Sequence, residues 1–187
     1  MTDRAYKLGK NLDHSTANED YDVWQVTQNL NETFKDLFWN LEPIEKLPLC
    51  KFEGKLQERL NWLDYPDEEF GYPIVSKKML DVLLSVGKFQ HQAIPLKIYD
   101  YQSEDRTNNF AFLHLLECIN VLDREKTKFF KASGRVRQAA LKEPKDGYPP
   151  LFRVKNAGLA RFISAEAKEA LEAANIKGVR FVPLIAS

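Results

Sequence analysis

Cysteine is nearly absent. Cys50 and Cys118 are the two in 187 residues, which excludes a fold stapled by a disulfide framework. Glycine is scarce, with eight residues, and none gathers into a loop that would cradle a phosphate. No apolar run approaches the ~20 residues that span a bilayer, so no membrane partner is expected. The opening MTDRAYKLGKN carries basic side chains with no apolar stretch behind them, unlike a secretory signal, and a cytoplasmic protein is expected. Histidine is rare too. His14, His91 and His114 have no further ligand-type residue at metal-site spacing, so neither metal nor cofactor is expected. His114 and Cys118 stand four apart, which on a helix offers two ligands; on a strand they lie ~13 Å apart at a ~3.3 Å rise, too far for base and nucleophile. A buried histidine and cysteine in a core element is the favoured reading. Asp100, Asp105, Glu117 and Asp123 have no informative spacing, and no catalytic residue is assigned.

What is present is ordinary globular composition, 44% hydrophobic and 29% charged, in a length that suits one domain. Lys plus Arg equals Asp plus Glu at 27 each, yet the charges are segregated. Residues 1–75 hold 8 basic and 15 acidic side chains, net −7, and residues 76–187 are net +7. Arg124–Lys155 holds ten basic and three acidic residues. Lys126, Lys128, Lys131, Arg135 and Arg137, with Phe129 and Phe130 between, invite a nucleic-acid reading. The pI of about 6.8 argues against it, and no nucleic acid is expected. An acidic, aromatic patch at Trp62, Asp64, Tyr65, Asp67, Glu68 and Glu69 suits recognition of a protein, since hot spots favour aromatic anchors. A solvated turn before Pro73 fits the same residues.

Residues 1–20 are polar and read as a flexible N-terminal arm, leaving 21–187 as a single domain. Tyr21–Val26 alternates like a half-buried strand. Phe34, Leu37, Phe38 and Leu41 suit a short helix. From Gly71 the signals sharpen. Tyr72–Val75 is extended, Ser76 caps a helix with Met79, Leu80, Val82, Leu83 and Val86 as its apolar stripe, Gly87 stops it, and Ala93–Tyr99 is a strand. Pro95 places that strand at an edge or at a bulge. The order returns at the C-terminus: Leu151–Val154 and Arg161–Ile163 extended, Ser164 as cap, a helix over Ala165–Lys177, Gly178 as stop, and a strand over Val179–Leu184. Ile94-Pro95-Leu96 answers Val182-Pro183-Leu184. The apolar stretch Phe110–Asp123 fits either period; a long central strand, with a bulge allowed, is expected because the flanking units need a sheet. Residues 132–150 read as a long exposed loop. The expected class is α+β: a mixed sheet with two strand–helix–strand units.

Pro73-Ile74-Val75-Ser76 before a helix, the run ending Cys118-Ile119-Asn120-Val121-Leu122-Asp123, and Leu151-Phe152-Arg153-Val154, Phe162-Ile163-Ser164, a helix, then Gly178-Val179-Arg180-Phe181 carry a family resemblance. Over 72–184 the chain resembles a family of bacterial immunity proteins, numbered eleven in the polymorphic-toxin classification and also classed as type VI immunity proteins. The resemblance implies a non-enzymatic antidote that binds and neutralises a cognate toxin in the cytoplasm of the producing cell. Its motifs are scaffold patterns and assign no active-site residue. An acidic patch would suit a toxin with a basic substrate groove, and the same six residues, Trp62 to Glu69, are the expected contact. The alternative is a small enzyme or ligand-binding protein. Oligomeric state is not legible.

Overall fold

A computed structural model describes residues 5–10, 23–25, 40–45, 52–54, 63–66, 73–100 and 105–185. Along the chain the strands are β1 (Ala5–Lys10), β2 (Val23–Gln25), β3 (Phe52–Gly54), β4 (Ile74–Ser76), β5 (His91–Asp100), β6 (Arg106–Leu115), β7 (Cys118–Ile119), β8 (Lys128–Phe129), β9 (Val136–Gln138), β10 (Leu151–Val154), β11 (Arg161–Ser164) and β12 (Val179–Pro183). Helix α1 (Lys77–Val86) follows β4 and α2 (Ala165–Ala173) follows β11. Among the described residues two five-stranded mixed sheets result, in the orders β12-β1-β11-β10-β7 and β2-β3-β5-β6-β4, beside a two-stranded ribbon β8-β9. The class is α+β, with one strand–helix–strand unit in each sheet.

The two units are equivalent. β4, α1 and β5 flank β6, which is antiparallel to both strands. β11, α2 and β12 flank β1 in the same way. The Oγ of Ser76 accepts from the N–H of Met79 at 3.0 Å, and the Oγ of Ser164 from that of Ala167 at 3.2 Å. A hydroxyl so placed satisfies a first-turn amide that has no partner within the helix. Val75 and Pro95 face Ala111 across the first unit; Ile163 and Pro183 face Tyr6 across the second. Each proline lies nineteen residues after its serine, 76 to 95 and 164 to 183. The proline likeness in the sequence is thus a shared register.

Both helices bury their apolar stripe in one core. Val75, Met79, Leu83, Leu113 and Leu115 of the first unit meet Leu8, Ile163, Ala167, Leu171 and Ile176 of the second. Phe152 and Phe162 look the other way, into a second cluster closed by Val121, Ala139 and Leu141. Across the other sheet Phe52 meets Phe112 edge to face at 5.1 Å.

Several expectations change here. Residues 1–20 are not all an arm: Ala5–Lys10 is a strand between β11 and β12, with Ala5 and Leu8 buried. Its two lysines and single glycine disguised a strand whose stability comes from pairing on both sides. Phe110–Asp123 is not one strand. β6 ends at Leu115 and the chain crosses to the other sheet at Cys118. Residues 110–115 are buried on both faces, so no period shows. Neither glycine stops its helix by a left-handed turn. Gly87 is extended, with φ 172. The second helix ends four residues early, in a Schellman turn: Asn175 has φ 53, its N–H donates to the Glu172 carbonyl at 3.0 Å, and the Ile176 N–H to that of Leu171 at 3.0 Å. Residues 132–150 are not one loop, since β9 and the buried Ala139, Ala140 and Leu141 lie within them. Pro95 is placed as expected. Among the described residues β3 pairs with β5 from Ile98 onward, and a register shift falls between Leu96 and Ile98. The strand around Trp24 is β2; residues 34–39 of the expected short helix lie outside the described residues.

Candidate partner-binding surface

Three places carry polar or charged side chains worth testing as a site. The first is the acidic, aromatic patch. Trp62, Asp67, Glu68 and Glu69 lie outside the described residues. Asp64 and Tyr65 are internal, 9% and 2% exposed. The carboxylate of Asp64 accepts from Ser76 Oγ–H at 2.6 Å through Oδ1 and from the Lys177 N–H at 2.9 Å through Oδ2. Its own N–H and that of Tyr65 donate to the Lys177 carbonyl at 3.0 and 3.1 Å, and its carbonyl accepts from the Ser76 N–H at 2.8 Å. Asp64 therefore ties the start of α1 to the turn that leads from α2 into β12. Gly178 allows the approach. With φ +84, a Cβ there would stand 2.6 Å from the Tyr65 carbonyl oxygen. The physical reason for the changed role is burial: a polar group this enclosed must find its hydrogen-bond partners inside the protein, and Asp64 finds them in Ser76 and Lys177.

The second place is the seam where the chain leaves β6 for β7. His114 is 1% exposed, and its Nε2–H donates to the Glu42 carbonyl at 2.9 Å. Burial lowers its pKa; the Glu42 carbonyl opposes this and the Arg153 charge adds to it. Burial pushes the Cys118 thiol up, and Arg153, its register partner across β7 and β10, pulls it down by less. A neutral imidazole whose Nε2–H is engaged and a protonated thiol do not make a nucleophilic pair. The cleft at this point, lined by Pro73, His114, Leu115, Arg153, Leu159 and Arg161, is too small for a substrate. His91 opens β5 and stacks on Phe89 at 4.4 Å. Among the described residues no three His, Cys, Asp or Glu side chains gather as a metal site.

The third place is the β8-β9 ribbon, which projects from the protein on a fixed base. Asp123 Oδ1 accepts from the N–H groups of Glu125 and Lys126 at 3.1 and 3.2 Å. The Asp123 N–H donates to the Ala140 carbonyl at 2.9 Å, and the Ala140 N–H donates to Thr127 Oγ1 at 3.0 Å. Ala139, Ala140 and Leu141 then run into the core. Beyond this base the side chains turn to solvent. Phe130 is 51% exposed, and Lys126, Lys128, Lys131, Arg135 and Arg137 are exposed around it. Gly134, at φ +63, closes the tip, its N–H donating to the Phe130 carbonyl at 2.9 Å. The sequence showed the cations and the two phenylalanines; the ribbon was missed because its strands are too short for alternation to register.

The chain matches the family model of an immunity protein family, Imm11, over residues 7–185. It belongs to that family. The match begins inside β1 and ends one residue past Leu184, so it takes in both units, both sheets and the ribbon. The resemblance read over 72–184 was therefore too short. The N-terminal third is part of the family's body, as β1 between β11 and β12 requires. No curated protein matches the chain. No helix among the described residues is long and apolar enough to cross a membrane.

Proposed function

We propose that this Imm11 protein is the antidote to a cognate toxin of a polymorphic-toxin system, delivered between competing bacteria by type VI secretion, and that it neutralises the toxin by binding it in the cytoplasm of the producing cell. The family match over 7–185 carries the reading. Neutralisation here is by contact and not by turnover. The neutral His114, the protonated Cys118 and the small cleft beside them support that view over a small enzyme. Inhibitory complexes of this kind work by covering the partner's site with a preorganised face. Four of the residues first expected at the contact, Trp62, Asp67, Glu68 and Glu69, remain candidates for it; Asp64 and Tyr65 serve the fold.

The test is co-expression. The toxin encoded beside this gene is induced in a host with and without this chain, and growth is followed. Rescue together with co-purification of the two polypeptides supports the proposal. Rescue without a complex overturns binding as the means, and no rescue overturns the function.

A further inference from the structure

We infer that the β8-β9 ribbon is a docking surface for an acidic face of the toxin, with Phe130 as its apolar anchor; this rests on the function proposed above and names the chemistry of the partner. Four observations converge on the ribbon. Between Arg124 and Arg137 there are six basic residues and one acidic one, Glu125, in a protein with no net charge. Among the described residues no ion pair engages Lys128, Lys131, Arg135 or Arg137. Phe130 is the most exposed of the large apolar residues described, while Phe129 beside it is half-buried. The ribbon is held at its base by Asp123, Thr127 and Ala140 and at its tip by the Phe130–Arg135 pairing, in which the Phe130 N–H donates to the Arg135 carbonyl at 2.9 Å.

Single exposed apolar residues are common and need no explanation. An aromatic ring at the tip of a fixed ribbon, flanked by cations with no partner carboxylate among the described residues, is a different case. Interface cores favour aromatics and Arg, with charge around them setting register and encounter rate. A register shift between Lys128 and Phe129 leaves Arg137 as the extra residue of a bulge, a device that re-aims a side chain next to a working surface. Fixing the ribbon beforehand lowers the ordering cost of binding. The complement of such a surface is an apolar pocket ringed by carboxylates. A nucleic acid would also meet the cations, but the chain's pI of about 6.8 and its membership of an immunity family favour a protein.

The experiment uses the full chain and the toxin encoded next to it, made as an inactive variant. Association and dissociation are measured at low and physiological salt for wild type, for F130A, for K131E/R135E, and for D67A/E68A as a comparison. A fluorescent 20-base-pair DNA duplex is titrated in parallel. Wild type and the two ribbon variants should melt alike, because the changed ribbon positions are exposed. The ribbon reading expects K131E/R135E to associate roughly tenfold more slowly at low salt and to lose most of its salt dependence. It expects F130A to raise the dissociation rate at least about tenfold, whatever D67A/E68A does. Wild-type kinetics in both ribbon variants, with or without a loss in D67A/E68A, overturn the docking surface and leave the immunity function standing. Binding of the duplex more tightly than the toxin at physiological salt also overturns it. A wild-type chain that does not bind the toxin overturns the immunity function itself.

Discussion

Removing the carboxylate of Asp64 should cost more than removing either serine cap, and the duplicated architecture supplies the control. Ser76 and Ser164 cap equivalent helices, yet Ser76 also donates to Asp64 Oδ1 at 2.6 Å. Losing an N-cap hydroxyl costs about 1 kcal/mol. Losing a hydrogen bond to a buried charge costs about 1.5–3 kcal/mol. Ser164→Ala is therefore expected near the first figure, and Ser76→Ala above it by about 1–2 kcal/mol. Asp64→Ala strands two donors, the Ser76 hydroxyl and the Lys177 N–H, so a loss of about 3–5 kcal/mol follows. That is a large share of the about 5–15 kcal/mol that stabilises a domain. Urea unfolding of the two serine variants, of Asp64→Ala and of the Asp64→Ala/Ser76→Ala double variant gives the coupling directly. A coupling energy of about 1 kcal/mol or more is expected. Equal losses in the two serine variants, with coupling near zero, would refute the idea that Asp64 joins the two units. If Asp64→Ala does not fold, the serine pair alone still decides.

Three further outcomes can be checked on the same instrument. Gly178→Ala should lose about 2–4 kcal/mol, because it combines a left-handed backbone with a Cβ 2.6 Å from the Tyr65 carbonyl oxygen; a melting temperature within 2 °C or so of wild type would contradict the close approach. Asn175→Gly should keep or raise stability and Asn175→Ala should lower it by about 1 kcal/mol, read as a shift in urea midpoint. His114 has its pKa lowered on folding, so the unfolded chain binds more protons and stability falls as pH drops through about 6.5. The fall levels off below the folded pKa, and His114→Gln, which keeps a donor for Glu42, should flatten the profile between pH 7.5 and 5.5.

The second half of the chain was readable because its punctuation is local. Ser76 and Ser164 cap where they were expected to, and the matched prolines led to the equivalent registers. The points that failed depend on what lies elsewhere in the chain. Nothing in Ala5–Lys10 says that β11 and β12 will take up both its edges. The buried run from Phe110 to Leu115, apolar except for His114, is compatible with helix or strand until both faces are known to be covered. Gly178 was read as a helix stop, whereas it is required by Tyr65 more than a hundred positions away. The same holds for the site. Asp64 looks like any surface carboxylate until Ser76 and Lys177 close on it. The ribbon's charge was visible, but its rigidity comes from Asp123, Thr127 and Ala140 together.

The place of β1 in its sheet has a consequence for how the protein comes into being. Ala5 pairs with Ser164 and Tyr6 with Pro183, so a strand that leaves the ribosome early must wait for partners made at the far end. Such pairings raise contact order and slow folding. Until β11 and β12 are synthesised, β1 has neither of its sheet neighbours. Under the proposed function, a nascent or truncated product without β11 and β12 is expected to give no protection. A chain lacking β1 has the converse defect, a socket between β11 and β12. A short synthetic peptide of the β1 sequence, added to a chain lacking it, is the natural plug, and restoration of protection by that peptide would make the antidote a two-piece switch.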